Sequence, residues 1–342
     1  MDAPSFAHPI RSISATQKPL IDPFGRKLDY LRLALTDRCN LRCRYCMPEE
    51  GIAPVNHSDI LSFEEMFRLV RVLAGLGVKK VRLTGGEPFV RKGALQFIRN
   101  INALKDIQSV HITTNGVLIG NIISQLKELN LGGVNLSLDT LNPKRFAAIT
   151  RRNYFPPVYD ALQKLLISGI PLKLNMVVQK GVNDDELGDF IELARDHALQ
   201  VRFIEEMPFN GLGKKATDYL TAESILQTIR FMYPQMRETL AADGTARIFT
   251  IPGFKGSIGL IGGYSRQFCD TCSRLRITPL GVLKTCLYDN GVLDLRALLR
   301  SGATDRNIEE ALRDAVARRY KDGFEAEAAN RTEKHSMAMI GG

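Results

Sequence analysis

Short runs of Val, Ile and Leu alternate with helical patterns between residues 31 and 204. The runs predict six strands, at residues 31–35, 78–83, 110–113, 134–138, 172–178 and 201–204. Most intervals between them fit a strand–helix–strand crossover, which indicates alternating α/β structure with a parallel sheet. Six units are fewer than the eight that close a complete barrel. The pattern therefore predicts a partial (β/α)6 TIM-like barrel, with an open doubly wound sheet as the alternative.

Two helix starts are visible within this pattern. Ser62 and Glu65 form a capping box, and apolar residues then recur at helical spacing until Gly75 and Gly77 supply stop signals. A second helix is predicted to open at residues 183–186, because apolar side chains share one helical face directly after it. Both helices fit the crossovers that a parallel sheet requires.

The pattern changes after Phe209. Residues 210–215 are rich in Gly and Lys and predict a loop, whereas residues 321–334 are polar and weakly patterned. A small antiparallel strand pair is predicted at residues 246–251 and 257–261. Two helices are predicted at residues 293–299 and 308–319. We therefore predict three parts: an N-terminal tail at residues 1–23, the barrel over 24–240, and a C-terminal α+β appendage over 241–342.

The composition is that of an ordinary folded protein. Of 342 residues, 44% are hydrophobic and 24% are charged, which argues against disorder, collagen-like repeats and a coiled coil. The net charge of +9 predicts an anionic partner: nucleic acid, an acidic membrane surface or a nucleotide triphosphate. The sequence has no stretch apolar enough for a bilayer and no apolar region of a secretory signal, so we expect a cytoplasmic protein. Disulfides are rare in that compartment, so the six cysteines need another explanation.

Three of the cysteines directly follow the first predicted strand. Cys39, Cys43 and Cys46 have the spacing C-x3-C-x2-C, at the end of a parallel strand where such folds collect their active sites. Thiolates select soft metals and iron–sulfur clusters. A [4Fe–4S] cluster held by three cysteines leaves one iron open to a ligand. The alternative is a zinc site with His57 as its fourth ligand.

The other three cysteines lie in the C-terminal appendage. Cys269, Cys272 and Cys286 have the spacing C-x2-C-x13-C, and the chain has no further cysteine to complete a set of four. A zinc site would need His335 to fold back from the tail. A second [4Fe–4S] cluster with an open iron fits the ligand count better.

The first cysteine motif carries a family resemblance. Residues 36–46, TDRCNLRCRYC, resemble the signature of radical S-adenosylmethionine enzymes. The resemblance implies that the open iron of the first cluster chelates S-adenosylmethionine. It also implies contacts to that cofactor from Tyr45, Gly86, Ser137 and Met207. Without the resemblance, the Gly85-Gly86 pair would be an ordinary strand-to-helix turn, and Ser137 and Met207 would be packing or strand-end residues.

The second motif narrows the resemblance. Residues 268–276, FCDTCSRLR, resemble the signature of GTP 3′,8-cyclases, which open molybdenum cofactor biosynthesis, and the terminal Gly341-Gly342 pair matches as an accessory element. The implied lyase reaction uses a 5′-deoxyadenosyl radical. This radical abstracts the ribose 3′ hydrogen of GTP, and the resulting carbon radical attacks guanine C8 to give 3′,8-cyclo-7,8-dihydro-GTP. No side chain is assigned as acid or base.

Several cations are candidates to bind GTP. Arg274 and Arg276 lie two positions apart on an extended segment and therefore project to one side, where guanidinium groups suit phosphate. The resemblance implies a GTP site of Arg32, Arg82, Thr113, Lys173, Arg274, Leu275 and Arg276. The alternative for Arg82 and Lys173 is an ion pair with a carboxylate such as Asp139 or Glu205.

The sequence also departs from the family pattern. Ser273 stands where asparagine is usual in the family. Gly262-Gly263 replaces a more proline-like segment leading to the second cysteine motif, and residues 321–334 lack the Lys-x-x-His element often found there. None of these changes removes a cysteine or a phosphate-binding cation.

The resemblance further implies an external electron donor of the flavodoxin or ferredoxin type. Its implied functional partner is cyclic pyranopterin monophosphate synthase, and a homodimer is compatible with it, whereas nucleic acid and membrane partners are not expected. Two rivals are a peptide-modifying radical enzyme with an auxiliary cluster and a basic zinc protein that binds nucleic acid.

Overall fold

The computed structural model describes residues 18–53, 55–207, 219–239, 244–266, 268–330 and 336–341. The strands in these ranges are β1 Tyr30–Ala34, β2 Lys80–Thr84, β3 Ser109–Thr114, β4 Gly133–Ser137, β5 Leu172–Val178, β6 Leu199–Glu205, β7 Arg237–Thr239, β8 Arg247–Thr250, β9 Ser257–Ile261, β10 Arg274–Ile277, β11 Val282–Lys284 and β12 Leu293–Asp294. The helices are α1 Phe63–Gly75, α2 Ala94–Asn102, α3 Ile123–Glu128, α4 Pro143–Thr150, α5 Phe155–Ser168, α6 Leu187–Asp196, α7 Ala222–Met232, α8 Leu295–Arg300, α9 Asp305–Ala317, α10 Gly323–Ala329 and α11 Met337–Ile340. Short 3-10 turns cover His57–Asp59, Pro88–Val90 and Asp184–Glu186.

The six predicted strands form the centre of one sheet. β1 to β6 lie side by side in chain order, and every neighbouring pair among them is parallel. Side chains from all six strands and from β10 line one cavity. An open doubly wound sheet would not enclose such a cavity, because helices would cover both of its faces. The partial barrel is therefore the correct interpretation.

The C-terminal part adds a strand to each edge of these six. β10 pairs in parallel with β1, and β9 pairs in parallel with β6. β8 and β9 form the antiparallel pair that the sequence predicts, but β9 also continues the barrel sheet. The strand order β12-β11-β10-β1-β2-β3-β4-β5-β6-β9-β8-β7 gives a mixed sheet with two ends.

Alternation along the strands decides which side chains face the cavity. In β5, Leu172, Leu174 and Met176 are buried in the apolar core, whereas Lys173 and Asn175 line the cavity. A two-residue period of this kind sends every second side chain to the same face. The sequence of β5 thus places a cation inside the barrel and an apolar layer under the helices.

The helix signals are confirmed. Ser62 and Glu65 make both hydrogen bonds of a capping box, and α1 ends at Gly75 before Gly77 adopts a left-handed φ of 94°. Residues 183–186 lead through a 3-10 turn into α6. α8 and α9 lie at the two helices predicted near the C-terminus.

Two segments differ from the prediction. The weakly patterned stretch contains α10, whose start is capped by Asp322, an acceptor from the amides of Phe324 and Glu325. Within the predicted tail of residues 1–23, Leu20 and Asp22 are buried against the body of the protein, and residues 1–17 lie outside the described residues. The predicted loop at 210–215 lies outside the described residues. Among the helices that the structure describes, none has the length and apolar character to cross a membrane.

Candidate active site

A cavity of about 820 Å³ occupies the interior of the barrel. One end is lined by Cys39, Cys43 and Cys46, in the loop after β1. The other end reaches Lys80 and Gln108, at the amino ends of β2 and β3. A ligand in this cavity would contact the cysteine loop and the strands together.

The first cysteine trio forms a donor set for a soft metal group. All three side chains line the cavity. Burial raises the pKa of Cys39 to about 11 and that of Cys46 to about 12, and it also raises the pKa of Cys43. The charges of neighbouring cysteines add to this rise for Cys43 and Cys46. Thiolates held this closely in a poorly solvated site need positive metal centres to compensate their charge, so the trio fits an iron–sulfur cluster.

The structure does not support zinc at this position. His57 is exposed in its 3-10 turn and does not line the cavity. Within the described ranges, no group of three or more His, Cys, Asp or Glu side chains could hold a single metal ion. The zinc alternative for the first trio thus lacks its fourth ligand.

The Gly85-Gly86 pair packs directly against the cysteine loop. A Cβ atom on Gly86 would lie 2.4 Å from the carbonyl oxygen of Arg38, and one on Gly85 would lie 2.7 Å from that of Thr36. The amide of Gly86 donates to the Thr36 carbonyl at 2.7 Å. Glycine is required here because two backbone segments approach each other. This steric reason was not evident from the sequence.

Asn115 is a further residue of the first cysteine site that the sequence did not reveal. Its side-chain amide donates to Asn40 Oδ1 at 2.7 Å and to Cys39 Sγ at 3.6 Å. Glu87 is fully buried and accepts from the backbone amide of Asn115 at 2.7 Å and from the Thr114 hydroxyl at 2.9 Å. The carboxylate therefore fixes the strand end that carries Asn115 beside the cysteine.

The residues expected to contact S-adenosylmethionine lie around the same end. Tyr45, Gly86, Ser137 and Met207 all line the cavity. The Tyr45 hydroxyl donates to Asp139 Oδ2 at 2.8 Å, which holds the ring against β4 and β5. Burial raises the pKa of Asp139 to about 6.

The strand register brings the expected cations together. Arg32 on β1 lies beside Arg276 on one side and Arg82 on the other. These three, with Thr113, Lys173 and Arg274, all line the cavity. Leu275 does not, because alternation along β10 sends its side chain into the apolar core, where it is fully buried.

These cations are not neutralised by the carboxylates considered from the sequence. Glu205 accepts from the amides of Ala222, Tyr264 and Ser265. Asp139 is engaged by Tyr45 and by the backbone of β5. Within the described part of the chain, neither carboxylate forms an ion pair with Arg82 or Lys173.

Burial and the closeness of several positive charges inside the barrel lower the pKa values of the cavity cations. Burial and the charges of Arg202 and Arg82 lower the pKa of Lys173 to about 8. Burial and the charge of Arg274 lower the pKa of Arg276 to about 10. Such a site favours a polyanionic ligand, because an anion would relieve the mutual repulsion of the cations.

Arg202 is a cation that the sequence reasoning missed. It lines the cavity from β6, and burial followed by the charge of Arg82 lowers its pKa to about 10. The signal was present, since Arg202 alternates with the apolar residues of a predicted strand as Lys173 does. Several buried polar atoms of the cavity also have no hydrogen-bond partner among the described residues: Arg32 Nε, Arg276 Nη1, Asn135 Oδ1 and Asn175 Oδ1.

The second cysteine trio lies around the start of β10. Cys272 lines the cavity, and the charges of the three cysteines influence one another. Burial raises the pKa of Cys286 to about 11. At Cys272 burial acts in the same direction, but Arg274 and Arg319 outweigh it and lower the pKa. His335, the fourth ligand of the zinc alternative, lies outside the described residues.

The C-terminal tail enters the site. The Ser336 hydroxyl donates to the carbonyl of Cys46, and Met337 lines the cavity. The Gly341 carbonyl accepts from Arg32 Nη2 at 3.4 Å and from the Thr84 hydroxyl at 3.3 Å. Gly342 lies outside the described residues.

Comparison with known proteins agrees with this geometry. Residues 33–194 match the Radical SAM superfamily, and residues 199–324 match Molybdenum Cofactor Synthesis C. A protein of Moorella thermoacetica named GTP 3′,8-cyclase is 44% identical over 86% of this chain and 92% of its own length. The chain belongs to the GTP 3′,8-cyclase family. Membership in the superfamily implies a [4Fe–4S] cluster and S-adenosylmethionine.

This chain also matches about half the length of some longer proteins. Molybdenum cofactor biosynthesis protein 1 of Dictyostelium discoideum is 38% identical over 97% of this chain. The match covers 54% of that protein's own length. The fold is shared more widely. The solved structure of Streptococcus suis SuiB bound to S-adenosylmethionine superposes with a TM-score of 0.60 at 17% identity, over 81% of this chain and 62% of SuiB.

Proposed function

We propose that this chain converts GTP to 3′,8-cyclo-7,8-dihydro-GTP, the lyase reaction that opens molybdenum cofactor biosynthesis. The proposal rests on one cavity with a cysteine trio at one end. Along its strands lie cations that form no ion pair with a carboxylate among the described residues: Arg32, Arg82, Lys173, Arg274 and Arg276. Membership in the GTP 3′,8-cyclase family fixes the reaction class.

The first cysteine trio would hold the radical-generating group. Cys39, Cys43 and Cys46 would bind a [4Fe–4S] cluster, with Tyr45, Gly86, Ser137 and Met207 around S-adenosylmethionine. When bound, cluster and cofactor would supply the radical chemistry that removes the ribose 3′ hydrogen of GTP. The chain's own task is to hold the ribose against the radical source and to exclude water and competing hydrogen donors.

The second cysteine trio would hold a second [4Fe–4S] cluster beside GTP. Its support is the position of Cys272 in the cavity, two residues before Arg274. Cys269 and Cys286 would complete its set of cysteine ligands.

The cations would bind the triphosphate and orient the nucleoside. Arg32, Arg82, Lys173, Arg274 and Arg276 line the cavity and carry positive charge, so phosphate oxygens would satisfy their N–H groups. The side-chain oxygens of Asn135 and Asn175 have no hydrogen-bond partner in the described part of the chain, so they can accept from ribose hydroxyls or guanine N–H groups.

Two further parts of the proposal concern the tail and the partners. Gly341 would complete the site, because its carbonyl contacts Arg32 and Thr84. Radical formation consumes an electron, so an external donor of the flavodoxin or ferredoxin type is required. Cyclic pyranopterin monophosphate synthase would consume the product.

An anaerobic assay of the reconstituted protein with GTP, S-adenosylmethionine and dithionite tests the proposal. Mass spectrometry should detect the cyclised nucleotide and one 5′-deoxyadenosine for each product molecule. Formation of 5′-deoxyadenosine with a peptide but not with GTP would instead establish the peptide-modifying rival.

A pair of arginine variants tests the GTP site. Arg274→Ala should weaken GTP binding while uncoupled cleavage of S-adenosylmethionine remains measurable. Arg247→Ala is the matched control, since Arg247 is a strand arginine that pairs with Glu238 outside the cavity. Loss of both activities in a folded Arg274→Ala protein with intact clusters would contradict this division of roles.

Iron analysis separates the proposal from the nucleic-acid-binding rival. Two [4Fe–4S] clusters predict a brown protein with about eight irons per chain. A colourless protein that contains zinc and binds nucleic acid with a steep salt dependence would exclude the proposed function.

A further inference from the structure

The N-terminal turn at residues 20–28 packs against the body of the protein. Leu20 is buried and donates its amide to the Leu76 carbonyl, while Ile21 and Lys27 form an antiparallel bridge. Asp22 Oδ1 closes the turn by accepting from the amides of Phe24 at 3.0 Å and Arg26 at 2.9 Å. The turn thereby fixes the Asp22 side chain.

Asp22 holds two arginines in the interior. Its Oδ2 accepts from Arg26 Nε at 2.6 Å and from Arg319 Nη1 at 2.9 Å. The side chains of Asp22, Arg26 and Arg319 are 0%, 8% and 3% exposed. Buried charges of this kind are retained only where pairing and hydrogen bonds compensate their desolvation.

Both arginines also donate to the segments that carry the second cysteine trio, and Arg26 donates in addition to the carbonyls of Tyr320 and Lys321. Arg26 Nη1 donates to the Cys269 carbonyl at 2.8 Å, and Arg319 Nη1 donates to the Cys272 carbonyl at 2.8 Å. Arg319 Nε donates to the carbonyl of Thr285, the residue before Cys286, at 3.0 Å. One carboxylate thus connects to the backbone of all three cysteine-bearing segments.

We propose that Asp22, Arg26 and Arg319 are positioning residues that orient the second cluster's cysteine loops and tune its reduction potential. This inference rests on the second cluster of the proposed function. The triad carries a net charge of +1, and positive charge beside an iron–sulfur cluster stabilises its reduced state. Removing an arginine should therefore lower the midpoint potential, whereas removing the Asp22 charge should raise it.

The opposite signs distinguish tuning from a merely structural role. Redox titration of the reconstituted full-length protein, followed by electron paramagnetic resonance, measures each cluster. The second cluster is identified as the signal that changes when GTP is added. We expect Arg319→Met to shift its midpoint negative and Asp22→Asn to shift it positive. Arg319→Lys, which keeps the positive charge, should leave the midpoint potential of the second cluster close to the wild-type value.

Two further variants guard against misfolding. Arg26→Met keeps the Asp22–Arg319 pair and removes the contact to the Cys269 carbonyl, so it should shift or weaken the second signal. It serves as the test if Arg319→Met is insoluble. Arg68→Met is the matched control, because Arg68 also joins a carboxylate and a carbonyl, those of Asp305 and Ala303. The control should leave both signals at their wild-type positions.

The outcomes separate this inference from the proposed function. Wild-type protein with about four irons and no GTP-responsive signal would refute the second cluster, and the inference with it. Wild-type protein with two clusters, but an unchanged second signal in both Arg319→Met and Arg26→Met, would overturn the inference alone. Shifts of the same sign in Arg319→Met and Asp22→Asn would also overturn it.

Discussion

Tyr30 gives the GTP site a pH dependence that can be tested directly. Arg82 Nε donates to its hydroxyl oxygen at 2.6 Å, and Lys80 Nζ lies 5.0 Å from the ring centroid. Burial alone would raise the pKa of Tyr30. The positive charges of Arg82, Arg32 and Arg274 outweigh burial and lower that pKa to about 7. Without GTP, Tyr30 therefore ionises near neutral pH and supplies negative charge to the cations.

A triphosphate and a phenolate compete for the same cations. GTP should bind to the protein in which Tyr30 is protonated, so each GTP bound above neutral pH requires proton uptake. With a pKa of about 7, the protonated fraction falls about tenfold from pH 6 to pH 8. That factor corresponds to about 1.4 kcal/mol, so GTP binding should be weaker by this free energy at pH 8 than at pH 6.

The perturbation is Tyr30→Phe, which removes the ionising hydroxyl. Isothermal titration calorimetry without S-adenosylmethionine or reductant measures GTP affinity without turnover. Ionisation of GTP itself affects both proteins alike, so the ratio of their Kd values reports the Tyr30 hydroxyl, including the effect of its charge on the pKa of Lys173. Wild-type affinity should fall about tenfold relative to Tyr30→Phe between pH 6 and pH 8.

Two observations would refute the reasoning. Parallel pH profiles for wild type and Tyr30→Phe would show that Tyr30 does not ionise in this range. A tyrosinate absorbance that does not decrease when GTP is added at pH 8 would show that GTP does not displace the phenolate. Tyr159→Phe, on the exposed face of α5, is the control and should follow wild type.

Four further variants test separate parts of the site. Cys43→Ala should abolish cleavage of S-adenosylmethionine, measured as 5′-deoxyadenosine, because the first cluster loses a ligand; residual cleavage would contradict the assignment. Arg202→Gln should weaken GTP binding about 10- to 100-fold by calorimetry, the range for a lost hydrogen bond to a charged group. Gly86→Ala should lower the iron content of the first cluster, because the new Cβ meets the Arg38 carbonyl at 2.4 Å; full iron content would refute the close packing. Deletion of Gly341-Gly342 should reduce product formation more than iron content, and equal losses would argue for a structural role.

Sequence patterns predicted the elements that depend on local chemistry. β5 lies at the predicted residues, and the Ser62 capping box forms as expected, since alternation and capping act within a few residues of the chain. The family resemblance, not alternation, assigned Lys173 to the site; the alternation seen in β5 and β6 could have revealed Arg202.

Features that depend on distant partners were not predictable in this way. β9 and β10 look like small C-terminal strands in the sequence, and only their pairing with β6 and β1 shows that they extend the barrel. Leu275 belongs to the signature motif, yet strand alternation buries its side chain in the core. Asp22 gave no signal, because its importance comes from Arg319, close to it in space but at the far end of the chain.

The pairing of β1 has a consequence for biosynthesis of the protein. Leu31 pairs with Val81 on one side but with Leu275 on the other, so one edge of β1 stays open until most of the chain has left the ribosome. An open strand edge invites pairing with other chains, and late non-local pairing slows folding. We expect the nascent N-terminal part to depend on chaperones until β10 is available to pair with β1.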